Sequence, residues 1–137
     1  AVEPEQLDAL MQPTRIYARS VLDLLAQVPV HGMAHITGGG IIENLPRIFR
    51  NDRLQARVRL DAWERPAIFD WLQRAGAVDE TEMLRTFNCG LGFIIALPQA
   101  SVATALKVLE AAGETPHVIG DLVPAGTPAA PGERIIG

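Results

Sequence analysis

The residues of this chain that could do chemistry gather in two short stretches. In the first, an apolar, β-prone run beginning at Val30 ends in His35-Ile36-Thr37-Gly38-Gly39-Gly40, and Ile41-Ile42-Glu43-Asn44-Leu45 follows with helical character. Strand, glycine loop and helix in that order aim backbone N–H groups at an anion. Glycines in such a place also serve simply to make a tight turn, and this loop lacks the lysine of a P-loop. The second stretch, Arg85-Thr86-Phe87-Asn88-Cys89-Gly90, is rich in small and polar residues. Arg85 offers a permanent cation and a planar donor fork suited to phosphate. Gly90 and Gly92 permit close approach of a ligand or of a second backbone. If the two stretches lie side by side they form a phosphate-sized pocket. If they do not, Arg85 is a surface ion pair and Asn88 a turn residue. Arg15 and Tyr17 divide between the same two readings.

Other chemistries find less support. His31 and His35 fall on one face of a strand but about 13 Å apart, at roughly 3.3 Å per residue. Two ligands of one metal must each lie within about 2 Å of it, so these two cannot share an ion, and no zinc-type cluster is seen. No metal site is expected in this chain. His35 is the better functional candidate of the pair, because ligands of open α/β sheets collect at the carboxyl ends of strands. Cys89 has no Cys-His signature around it and reads as a small structural thiol. No serine sits in a nucleophile elbow. Trp63 and Trp71 flank a helix start and read as core.

The elements that must position these residues alternate between helix and strand. Pro4 to Met11 has a proline at a first helical position and Leu7, Leu10 and Met11 on one face. Residues 14–18 read as extended and 20–28 as a helix stopped by Pro29. The strand at 30–37 leads through the glycines to a short helix at 40–45. Ala56 to Leu60 alternates with period two, as a strand with one wet face does. Pro66 opens a helix with Ile68, Trp71, Leu72 and Ala75 as its stripe and Gly76 as its C′ residue. Asp79 to Met83 makes a helical turn. Leu91 to Leu97 is almost wholly apolar, the pattern of a central strand buried on both faces. Residues 99–112 form the clearest helix, His117 to Val123 another strand, and Arg134 to Ile136 a short last one. Residues 124–133, rich in Pro, Gly and Ala, read as a mobile loop. The class is α/β or α+β: a mixed four-stranded sheet with about three main helices packed on it.

Composition bounds the function. The 137 residues are 48% hydrophobic and 20% charged, enough for one domain with a sizeable core. A net charge of −4 with no basic block disfavours a nucleic-acid partner. No apolar run approaches the roughly 20 residues of a membrane span, and the start is no signal peptide. The first residue is not Met, so the chain is expected to be processed or a piece of something longer. The single cysteine fits a reducing cytoplasm.

Four segments together resemble a known family: Pro13-Thr14-Arg15-Ile16-Tyr17; His35 to Gly40 with Glu43-Asn44-Leu45-Pro46-Arg47; Phe69-Asp70-Trp71-Leu72-Gln73; and Met83 to Gly92. In this order and spacing they are similar to the C-terminal half of phosphoribosylformylglycinamidine cyclo-ligase, or aminoimidazole ribonucleotide synthetase, over about Leu7 to Val123. The resemblance implies an enzyme of purine biosynthesis that uses ATP to cyclise formylglycinamidine ribonucleotide to aminoimidazole ribonucleotide, giving ADP and phosphate. It implies a cytoplasmic homodimer of two-domain subunits. Residues 1–137 would be the C-terminal domain, and the N-terminal domain, which holds most of the ATP and Mg²⁺ contacts, lies outside this sequence. The isolated chain is then expected to be inactive and to bind no cofactor alone. Matching positions imply that His35, Thr37, Gly38, Gly39, Gly40, Asn44, Arg85 and Asn88 line the substrate side of the cleft, holding the ribose phosphate and stabilising charge on the activated oxygen. No general acid or base is assigned. The alternatives are the equivalent domain of a related ATP-dependent enzyme, of the selenophosphate synthetase or hydrogenase-maturation type, or a non-catalytic anion-binding module.

Overall fold

The computed structural model describes residues 2–137. Among them are six α-helices: α1 (Pro4–Leu10), α2 (Ala18–Leu25), α3 (Gly40–Asn44), α4 (Ala67–Gly76), α5 (Glu80–Thr86) and α6 (Val102–Ala111). Five strands accompany them: β1 (Gly32–His35), β2 (Leu54–Arg59), β3 (Phe93–Ala96), β4 (Gly120–Pro124) and β5 (Glu133–Ile136). Single 3-10 turns follow α3 at Leu45–Ile48 and precede α6 at Gln99–Ser101. The class is α+β, as expected. No helix is long and apolar enough to cross a membrane among the described residues.

The strands form two antiparallel sheets rather than one mixed sheet of four. β1 pairs with β3, His35 lying opposite Phe93. β2 is the centre of the other sheet, flanked by β4 and β5. The expected period-two pattern of β2 is real: Ala56 and Val58 are buried, whereas Arg57 and Arg59 face outward. Arg57 meets Asp121 across the β2–β4 pair, an opposite-charge cross-strand contact.

The main core lies between the two sheets and the helices beside them. Ala34 and Ile36 come from β1 and its end, Ala56 and Val58 from β2, Ile41 and Leu45 from α3 and the following turn, and Met83 and Leu84 from α5. A smaller cluster joins α2 to α6 through Leu24, Val28 and Ala105. β3 serves both: Ile94 packs on the main core, while Ile95 joins the smaller cluster on the opposite face. Both faces of β3 are therefore apolar, yet every residue of it remains partly exposed, so it is not the fully covered central strand its composition predicts.

Helix ends differ from expectation in several places; α2 stops at Leu25, short of the expected 28. α4 runs through Gly76, and Ala77 instead takes the left-handed C-cap conformation at φ 49°. α5 continues through Arg85 and Thr86, beyond the expected turn at 79–83. α2 begins at Ala18, inside the segment expected to be extended. Between β4 and β5 the chain makes local bonds, Thr127 N–H to the Pro124 carbonyl at 3.2 Å and Glu133 N–H to that of Ala130 at 3.0 Å.

Candidate functional site

The glycine segment is a tight turn between β1 and α3. The Gly40 amide donates to the Thr37 carbonyl at 2.9 Å, and Gly39 sits at φ 97°, ψ −8°. Those angles are the third position of a type II turn, where a side chain is strained. Gly40 is also left-handed, at φ 55°, and is buried against the end of α5. A Cβ there would overlap the Leu84 carbonyl oxygen and come within 2.8 Å of that of Phe87. Gly38 is different: it is exposed, and a Cβ there would meet nothing within 4 Å.

Asn44 fastens this turn from beneath. It is only 2% exposed, and its Nδ2 donates to the carbonyls of Gly40 at 2.8 Å, Gly38 at 3.1 Å and Thr37 at 3.4 Å. Its amide group therefore serves the loop's own backbone. Among the described residues the amides of Gly38 and Gly39 donate to no protein acceptor; with the exposed Thr37 they form the tip of the turn, open at Gly38 and flanked by the Glu43 side chain at Gly39.

The second stretch adjoins the first through that Gly40–α5 contact, so the two loops do lie side by side. α5 is set in place by its N-cap, Asp79, which accepts from the Glu82 amide at 3.0 Å. It is also held by Glu80, which takes a two-pronged contact from Arg65 and a third bond from Gln73. The Arg65 guanidinium keeps the Glu80 carboxyl below its ordinary pKa. At the other end of α5, Arg85 reaches Glu82 at 2.6 Å, with both side chains about half exposed. Asn88 Oδ1 accepts from the Gly90 amide at 3.0 Å, and its carbonyl accepts from Leu91 at 2.9 Å. Surface ion pair and turn residue are thus the contacts these two make in the free chain.

Cys89 is buried at φ 50° with its thiol donating to the Met83 carbonyl at 3.5 Å. Burial pushes that thiol's pKa up, away from the reactive thiolate. The buried Trp63 indole N–H donates to the Cys89 carbonyl at 2.9 Å, which makes it part of the core.

A ring cluster flanks the glycine turn, and sequence reading missed it. Tyr17, His35 and Phe93 stand with centroids 5.4–5.9 Å apart, Tyr17 meeting His35 edge-on at 71°. Behind them, Glu114 binds Arg15 at 2.8 Å and Ser20 at 2.7 Å. Burial and the nearby Glu114 raise the Tyr17 phenol's pKa. The signal available in the sequence was Gly92, whose missing Cβ makes room for the Tyr17 ring. A groove of about 450 Å³ runs past Arg15, Tyr17 and Phe93 toward Ile119. None of the eight residues expected to bind substrate lines it.

The turn tip presents the amides of Gly38 and Gly39 and the Thr37 hydroxyl, with the Glu43 carboxylate close to Gly39, while the Arg85 guanidinium on α5 is paired with Glu82. Free amides of this kind can receive an anion. Among the described residues no group of three His, Cys, Asp or Glu side chains stands where it could hold a metal ion. Residues 2–130 match the family model described as AIR synthase related protein, C-terminal domain.

Proposed function

The chain belongs to the AIR synthase related protein, C-terminal domain family, and from that premise we propose that it is the substrate-side wall of an ATP-dependent cyclo-ligase. The reaction is closure of formylglycinamidine ribonucleotide to aminoimidazole ribonucleotide, with ADP and phosphate as the other products. The observation that carries this reading is the open rim of the glycine turn: two amides at Gly38 and Gly39 without protein acceptors among the described residues, next to the helix end that carries Arg85. Such a rim can grip a ribose phosphate and stabilise negative charge on an oxygen being activated. It offers no base and no nucleophile, so its contribution is positioning and electrostatics.

In this reading ATP and Mg²⁺ are held mainly by a separate N-terminal domain of the same subunit, subunits pair as homodimers, and the enzyme works in the cytoplasm. His35, Thr37 and Asn88 line the same side of the cleft, and Asn44 acts through the loop it fastens. The segments Pro13 to Tyr17 and Arg85 to Gly90 favour the cyclo-ligase over relatives that phosphorylate other substrates.

The test is an assay of the full gene product with ATP and formylglycinamidine ribonucleotide, run beside selenide as a competing phosphoryl acceptor. Phosphate release that needs the ribonucleotide supports the reading, and release that needs selenide overturns it. This chain alone is expected to give no turnover.

A further inference from the structure

We infer that Tyr17 is a positioning residue for His35, holding the imidazole beside the glycine turn by ring contact. The inference deepens the functional reading above, on which only its consequence for substrate rests.

Tyr17 is anchored on both sides by one carboxylate. Two residues before it, the Arg15 guanidinium contacts Glu114 Oε2 at 2.8 Å and donates to the Gly113 carbonyl at 2.9 Å. Three residues after it, the buried Ser20 donates to Glu114 Oε1 at 2.7 Å. The backbone carrying Tyr17 is thereby tied to the end of α6. Its ring lies over Gly92, where a Cβ would overlap Oη and come within 2.7 Å of Cζ. Phe93 supplies the third ring, 5.4 Å from Tyr17 and 5.9 Å from His35.

Among the described residues, the side-chain partners of His35 are these rings. It lies at the exposed end of β1, and neither of its ring nitrogens hydrogen-bonds a described protein group. One residue later, the Ile36 amide donates to the Gly92 carbonyl at 2.9 Å, which locks the strand end against the same glycine. Backbone pairing thus fixes where His35 starts, and Tyr17 with Phe93 fix where its ring points. Edge-to-face and tilted contacts at these separations are favourable ring arrangements. Among the described residues the Tyr17 hydroxyl makes no hydrogen bond to protein, so the ring, rather than the oxygen, carries the contact. Its raised pKa keeps it a neutral phenol at neutral pH, and no charge on it is needed.

The test is NMR of the His35 imidazole in this chain, assigned by the resonance that His35→Gln removes. Tyr17→Ala is expected to move the His35 ring signals toward those of the exposed His31, through loss of the neighbouring ring current. Tyr17→Phe is expected to leave them in place. Gly92→Ala, which forces Tyr17 aside without backbone strain, is expected to reproduce Tyr17→Ala. The Trp63 indole N–H, bonded in the core, reports that each variant is folded. Unmoved His35 signals in folded Tyr17→Ala would overturn the inference, as would Tyr17→Phe behaving like Tyr17→Ala. Neither outcome depends on turnover, so the cyclo-ligase reading stands or falls separately on its own assay.

Discussion

The Thr37–Gly40 turn packs on the end of α5 and the Asn88–Gly92 turn follows soon after that end; both depend on glycine, but what faces each glycine differs. At Gly40 the neighbours are main-chain oxygens of Leu84 and Phe87. At Gly90 and Gly92 they are side chains, the Pro66 ring and the Tyr17 phenol. At Gly38 there is no neighbour at all. A main-chain oxygen held in a helix end cannot retreat, whereas the tip of a tyrosine can swing away. The first turn is therefore rigid at its root, Gly40, and open at Gly38, whereas the second is packed throughout, fixed at Gly90 by a left-handed backbone and the Pro66 ring but adjustable at Gly92. A rigid root under an open tip is what electrostatic positioning requires, since donors that must reorganise on binding contribute less.

The largest effect expected from this contrast is at the root. Gly40→Ala combines a left-handed backbone with a clash against main chain, and should cost about 4 kcal/mol or more, among the severest single-site losses. Gly92→Ala, whose backbone is not left-handed and whose obstacle is a ring tip, should cost about 1 kcal/mol. Urea denaturation of the two variants compares them directly. Equal losses would erase the distinction between the turns.

Asn44 gives the next effect. Its three loop acceptors lose their donor in Asn44→Ala, and the expected loss is roughly 1–3 kcal/mol. Hydrogen exchange should also quicken at the Gly40 amide, because the turn it closes would be loosened. A variant as stable as the parent, with Gly40 exchange unchanged, would mean that the turn is held by Gly40 packing alone.

Much of the framework was legible because it is local. Alternation placed the wet face of β2, Pro4 and Pro66 marked helix starts, and the Val102–Leu109 spacing found α6. The sheet plan was not legible, because alternation names the wet face of a strand and not its partner. β2 finds its neighbours more than 60 residues away, at Asp121 and Glu133. β3 misled for a related reason. Its unbroken apolar run does meet apolar clusters on both faces, but two different ones, and neither fully covers it.

At the site, sequence reading left open whether the 37–40 and 85–90 stretches are neighbours, and the Gly40 contact with Leu84 and Phe87 brings them together. Direction was hidden. An asparagine beside a glycine loop can offer its amide outward to a ligand or inward to carbonyls, and nothing in its spacing distinguishes the two. Asn44 points inward. Gly92 likewise announced a close approach, but the partner came from Tyr17, 75 positions earlier, rather than from a ligand or backbone.

The smallest effect on folding, and the sharpest on the comparison, is expected at Gly38. Its φ is not left-handed, and an added methyl enters open space, so Gly38→Ala should change stability by no more than about 0.5 kcal/mol. The same methyl stands beside the two amides that have no protein acceptor, where an anion would approach. Titration of the parent chain with inorganic phosphate should therefore shift the Gly38 and Gly39 amides first, and the Gly38→Ala variant should need more phosphate for the same shift at Gly39. Equal titrations would put the anion elsewhere. A large loss of stability would show that the tip is packed like the root. An unchanged fold with weakened phosphate binding separates the two jobs within three consecutive glycines: Gly40 lets α3 meet α5, Gly39 turns the chain, and Gly38 leaves the approach clear.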